Sequence, residues 1–180
     1  MSAGGVMFWR SVFVLCVAAL LSGCETERSG LDYSAMMQTV GPPRPGQARV
    51  VILREKGYGG ITDAAWEVQL DGAPMNGLRA GTYVYSDRPA GLHQLTATEP
   101  AFPGVTHRDI TAQAGQTYFF VARPSERKSA ILASTAGVGL VGFALSSAMT
   151  AGYSNQGPID LLALDEAAAR TIIAELRLGQ

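Results

Sequence analysis

The chain has 180 residues, 47% of them apolar, 16% charged and 8% aromatic, with a formal net charge of −1. That length is ordinary for one domain, and high apolar content at near-zero charge excludes a disordered chain. Two lysines and twelve arginines are balanced by fifteen acids with no basic run, which leaves no electrostatic footprint for nucleic acid and excludes it as a partner.

Residues 1–23 read as a leader: a short start containing Arg10, ten consecutive apolar residues at 12–21, then Leu21-Ser22-Gly23-Cys24. Ten residues are too few to cross a hydrocarbon core of about 30 Å, which needs roughly 20 in a helix, so the run is a secretory signal rather than a membrane anchor. The tetrapeptide resembles the bacterial lipobox, in which small residues admit the peptidase and the cysteine thiol accepts diacylglycerol before cleavage. That resemblance implies lipidation at Cys24 as the mature N-terminus, with Leu21, Ser22 and Gly23 as the recognition residues and covalent diacylglycerol and N-acyl chains in place of any cofactor. Cys16 would leave with the leader and Cys24 would be blocked as a thioether, so no disulfide is expected within the chain. Two or three acyl chains exceed the single chain that gives only marginal attachment. In the sorting rule of enteric lipoproteins an aspartate after the cysteine retains the protein on the inner membrane. Here that position is Glu25, which implies anchoring at the periplasmic face of the outer membrane.

Residues 24–47 are expected to form a lipid-anchored tether. Polar residues 25–30 and the proline-rich 41–46 read as spacer. Between them Tyr33, Met36, Met37 and Val40 fall on one face of a short helix behind Asp32 as cap, and that helix is expected to dock on the domain.

From Ala48 the period changes to two, and residues 48–123 are expected to form a β-sandwich. Strands are predicted at 48–54, 65–70, 82–86, 92–98, 106–111 and 117–123, separated by Gly, Pro and Asp. Trp66, Val68 and Leu70 share one strand face while Glu67 and Gln69 take the other, the alternation of a half-buried strand. Asp71-Gly72 tolerates positive φ and predicts a hairpin turn. No helical period lies between these strands, which excludes a doubly wound α/β fold.

Four motifs in order, Gln69-Leu70-Asp71-Gly72, Gly81-Thr82-Tyr83, Pro89-Ala90-Gly91-Leu92-His93 and Ala114-Gly115-Gln116-Thr117-Tyr118-Phe119, resemble a family of small bacterial envelope lipoproteins carrying a domain of unknown function. The same pattern ends in an acidic helix start, here Leu164-Asp165-Glu166-Ala167. The resemblance covers residues 48–176 and departs at Ala90, where the family has a second proline. It implies a mainly β fold, an immunoglobulin- or transthyretin-like antiparallel β-sandwich, and no known activity. The chain is also similar to short envelope β modules, which bind or connect rather than catalyse.

Residues 124–158 form a Gly/Ala-rich apolar insertion, with no charge from Ser129 to Ile159. Read as helix, 130–153 places Val138, Val141, Leu145, Met149 and Tyr153 in an apolar stripe, flanked by the small residues Thr135, Gly139, Gly142, Ser146 and Thr150. Gly139, Gly142 and Ser146 are the candidate helix-packing residues, since small side chains permit close backbone approach. Glycines at 137, 139 and 142 each cost about 1 kcal/mol relative to alanine in a helix exposed to water. Lipid contact, a helical hairpin packed on the sandwich or on another copy, and a loop all remain open. Arg123, Arg127 and Lys128 suit a headgroup layer or solvent equally. Residues 159–180 are expected to give a final strand and a C-terminal helix, capped by Asp165 and packed through Ala169, Ile172, Ile173 and Leu176.

Chemistry is not prominent. His93 and His107 have no ligand-like companions, and His93 reads as a hydrogen-bonded histidine beside its turn. Tyr58, Tyr83 and Tyr85 form a candidate binding face, because strand and loop tyrosines can anchor a partner, although they serve a core as well. The expected protein is a non-enzymatic envelope module that binds or assembles at a membrane's periplasmic face. Its partners would be the membrane through the lipid anchor and an envelope protein or a second copy. The alternatives are membrane association or self-association through the Gly-rich helix, and a hydrolase.

Overall fold

The computed structural model describes residues 29–58, 63–135 and 139–179. A first helix, α1 (Tyr33–Val40), is capped by the Asp32 side chain, which accepts the Ala35 N–H at 2.8 Å. Seven strands follow: β1 (Gln47–Arg54), β2 (Trp66–Leu70), β3 (Ala73–Leu78), β4 (Thr82–Pro89), β5 (Gly91–Thr98), β6 (Thr106–Ala112) and β7 (Thr117–Pro124). A helical pair, α2 (Glu126–Thr135) and α3 (Gly139–Met149), precedes β8 (Ile159–Leu164), α4 (Glu166–Ile173) and a two-residue β9 (Arg177–Leu178).

The nine strands among the described residues make two sheets, β8-β7-β1-β4-β9 and β3-β2-β5-β6. The smaller sheet is antiparallel throughout, whereas the larger pairs β1 with β7, and β4 with β9, in parallel. The expectation of an antiparallel sandwich is therefore corrected to a mixed one. Between β1 and β7 the chain passes through β2 and β3 of the second sheet, returns as β4 on one edge of β1, crosses again through β5 and β6, and re-enters on the other edge of β1 parallel to it, the long connection that parallel pairing requires.

Two apolar layers result. Val50, Ile52, Val84, Phe120, Ala122, Ile159 and Leu161 face Trp66, Val68, Leu70, Leu78, Leu95 and Ala97 across the sandwich. On the other side of the larger sheet, Val51, Leu53, Tyr83 and Phe119 are covered by Met36 of α1 and by Ala169, Ile173 and Leu176 around α4. Within the stretch expected as a tether, α1 docks on the sheet as its apolar face predicts, through Met36, Tyr33 and Met37, while Pro42, Arg44, Pro45 and Gly46 beyond it stay exposed. The Gly41 carbonyl accepts Arg49 Nη1 at 2.7 Å.

Arg49 is wholly buried in β1 beneath α1. Its guanidinium grips Asp87, directly opposite on β4, with Nε to Oδ1 at 2.7 Å and Nη2 to Oδ2 at 2.8 Å, and lies 4.9 Å from the Tyr85 ring centroid. The hydrogen bond to Asp87 holds the guanidinium's pKa above its ordinary value, against the pull of desolvation.

At one end of the sandwich lie the β2–β3, β4–β5 and β6–β7 turns. There Asp71 and Gly72, both with positive φ, make the predicted hairpin turn, and His93 bridges two connections. Its Nδ1 meets Asp71 Oδ2 and its Nε2 the Pro89 carbonyl, each at 2.7 Å, so only the imidazolium can donate to both at once. Desolvation pushes the Asp71 carboxyl up, but the Gln94 N–H, His93 and Arg88 outweigh it and hold its pKa below the ordinary 3.8.

Two predictions follow from these contacts. Asp87→Ala strands a buried guanidinium and should cost about 3 kcal/mol in urea unfolding, most of it recovered when Arg49→Met is added. Because the folded pKa of Asp71 is depressed, its contribution is present above pH 3.8 and is lost as pH falls through the lower folded value. Asp71→Asn should therefore flatten the acid limb of stability against pH, and an unchanged limb would show that the Asp71 contacts with His93, Gln94 and Arg88 contribute nothing.

Candidate functional site

The insertion is a helical hairpin rooted between β7 and β8. Ser125 caps α2 by accepting the Lys128 N–H at 3.1 Å, while its own hydroxyl donates to the Gly157 carbonyl at 2.7 Å. Two residues on, the buried Arg127 donates to the carbonyls of Pro103 at 2.8 Å and Gln156 at 2.7 Å, with Ser147 at 3.3 Å. Lys128 pairs with Glu99, and Phe143 of α3 meets Phe102 edge-on with ring centroids 5.5 Å apart. Loop 99–104 and segment 155–157 are thereby clamped to the base of the hairpin. The root is tight: a Cβ on Gly157 would sit 2.1 Å from Thr106 Oγ1 and 2.2 Å from its nitrogen.

Helix α3 has two unlike faces. Ser146 and Thr150 are buried and Gly142 and Phe143 half-buried, on the side turned to α2 and loop 99–104. The hydroxyls of Ser146 and Thr150 each return to the carbonyl four residues back, at 2.8 Å, so they need no outside partner. The opposite arc carries Leu140 (86% exposed), Val141 (81%), Leu145 (63%) and Met149 (77%), interspersed with exposed Ala144 and Ala148. Leu132 of α2 is exposed as well, at 52%. A helix in water normally buries its large apolar side chains and exposes its small and hydroxyl ones. Here the arrangement is inverted, and contiguous exposed apolar surface of this kind marks an interaction site.

Among the described residues no helix is long and apolar enough to cross a membrane, and no group of three or more His, Cys, Asp or Glu gathers as metal ligands. Of the residues singled out from sequence, Gly142 and Ser146 lie on the face of α3 turned to α2, and Gly139 begins α3. That packing is within one chain. Tyr83 does not present a binding face: it is fully buried under α1, its ring 5.8 Å from that of Tyr33, and its hydroxyl donates to the Leu31 carbonyl at 3.2 Å. Burial drives its pKa well above the ordinary tyrosine value. Tyr85 is half-buried beneath Arg49, and Tyr58 falls in a short 3-10 turn, Lys56–Tyr58. The alternation of Tyr83 and Tyr85 places both on one strand face, but two helices cover that face. Cys24, Leu21, Ser22 and Gly23 lie outside the described residues.

Arg127 is neither a headgroup ligand nor a solvated charge, since it is buried and main-chain carbonyls take N–H groups of its Nη1 and Nη2. Arg123 reaches Glu55 at 3.0 Å. Sequence reasoning missed the clamp, because nothing local distinguishes Arg127 from a surface arginine.

A family model described as "Protein of unknown function (DUF2846)" matches residues 44–138, which run from the approach to β1 through α2. No curated protein matches the chain.

The tight root generates a prediction. Gly157→Ala forces the hairpin base away from Thr106 and should cost about 2 kcal/mol in urea unfolding. Gly152→Ala, whose new methyl meets open space, should leave the midpoint unchanged. Equal midpoints for the two variants would contradict the clamped root.

Proposed function

The chain belongs to the DUF2846 family of proteins of unknown function, and on that footing we propose that it is a lipid-anchored, non-catalytic envelope module. It is held at the periplasmic face of the outer membrane through Cys24 and docks through its helical hairpin. The observation that carries this reading is the outward apolar arc of Leu140, Val141, Leu145 and Met149. Such a surface stays in water only at the expense of the hydrophobic effect, about 25 cal/mol for each Å² left uncovered. A rigid sandwich that holds this arc in place is suited to joining the protein to another apolar surface.

The leader supports the compartment. Residues 12–21 followed by Leu21-Ser22-Gly23-Cys24 supply the apolar run and processing site that a lipoprotein peptidase reads. The mature chain of 157 residues, 180 minus 23, is large enough to fold on packing alone. No cofactor is assigned beyond the acyl chains on Cys24, and no residue is assigned a catalytic role.

Metabolic labelling with an alkyne fatty acid tests the anchor. The wild-type chain should take up the label and shift to the mature mass, and Cys24→Ser should do neither. An unlabelled wild-type chain that is nonetheless exported would overturn the assignment.

A further inference from the structure

We infer that the outward face of α3 is seated in the same membrane leaflet that holds the acyl anchor, so that the protein meets the bilayer at two points. The inference rests on the proposed lipidation at Cys24 and identifies the surface on which the hairpin docks.

Placement is the first ground. The Leu31 carbonyl accepts from Leu178 N at 2.8 Å and from the Tyr83 hydroxyl, which fixes the N-terminal segment beside the start of β4. Thr82, the first residue of β4, pairs with Arg54, the last of β1, and β1 runs parallel to β7. The N-terminal segment therefore enters at the end of the sheet where β7 gives way to the hairpin. From β9 to β7 is three strand spacings, about 15 Å. Ser29 is five residue steps from Cys24, and at full extension those steps span about 17 Å. An anchor on so short a leash brings that end of the sandwich, with the hairpin on it, to the bilayer surface.

Chemistry is the second ground. The exposed arc is aliphatic, and no charged residue occurs from Ser129 to Ile159. Within α3 it carries none of the Trp, Tyr and Arg anchors that concentrate binding energy in protein interfaces. The small residues that would let a second copy approach closely, Gly142 and Ser146, lie on the covered side of α3 and not on its exposed arc. Helix α3 has 11 residues, about 17 Å of helix against a core of about 30 Å. It is therefore suited to lie in the interface with one face immersed rather than to span. An interfacial helix ordinarily needs a polar face toward water, and here α2 and loop 99–104 cover that side instead.

The test uses the full-length lipidated protein, in which Cys16 has left with the leader and Cys24 is blocked, so an introduced cysteine is the only free thiol. Leu145→Cys and Thr111→Cys, both at exposed positions, are labelled with an environment-sensitive fluorophore. Each is reconstituted into phosphatidylethanolamine/phosphatidylglycerol vesicles with or without brominated acyl chains. The brominated chains should quench the probe at 145 and leave the probe at 111, on the smaller sheet, unchanged. Co-flotation with vesicles but no quenching at 145 would overturn the inference and leave the anchor standing. Disulfide cross-linking of Leu145→Cys between copies, without quenching, would overturn it in favour of a second copy as the occupant. Failure to float at all would remove the anchor and the inference together.

Discussion

Strand β1 is buried on both faces, and the rest of the architecture is arranged around that fact. From Ala48 to Arg54 every residue is buried, so the strand needs apolar partners above and below, and hydrogen-bonded partners on both edges. The second sheet covers one side, α1 and α4 cover the other, and β4 and β7 take the two edges. Such a strand can carry a charge only where the charge is fully matched. Arg49 meets that condition through a bidentate carboxylate and a carbonyl. At the other end of β1, Arg54 donates from Nη1 to two carbonyls and stacks 3.7 Å from the Trp66 ring centroid. The two arginines tie β1 to α1 and to the second sheet respectively.

Much of this was legible from residues alone. The helix behind Asp32, six of the strands, the Asp71-Gly72 turn and the strand and helix around Asp165 follow from period, capping and turn chemistry. Strand β3 escaped because Pro74, Asn76 and Gly77 read as loop. It survives as an edge strand, where a proline's missing N–H is tolerated. Strand β9 is two residues long, below what any period can reveal. Parallel pairing of β1 with β7 was illegible because register between distant strands leaves no local trace. Tyr83 shows the commonest limit: alternation assigns a residue to a face, but whether a helix covers that face is a tertiary fact.

The hairpin was legible in composition but not in orientation. Its glycines and hydroxyls promised close packing, and α2 supplies the partner within the same chain. Composition could not show that this packing turns the aliphatic residues outward, because the direction is set by Arg127, Phe102 and the tight root at Gly157. The rigid part of the molecule and the part proposed to touch other surfaces are thus separate. The sandwich fixes position, and the hairpin presents the surface.

Hydrogen exchange on the full-length protein, compared free in detergent-depleted buffer and reconstituted on vesicles, tests that division most directly. The account predicts that amides of β1 exchange only through global unfolding in both states, and that those of residues 139–149 gain protection on vesicles. Unchanged exchange in 139–149, with new protection on the outer face of the smaller sheet instead, would contradict it.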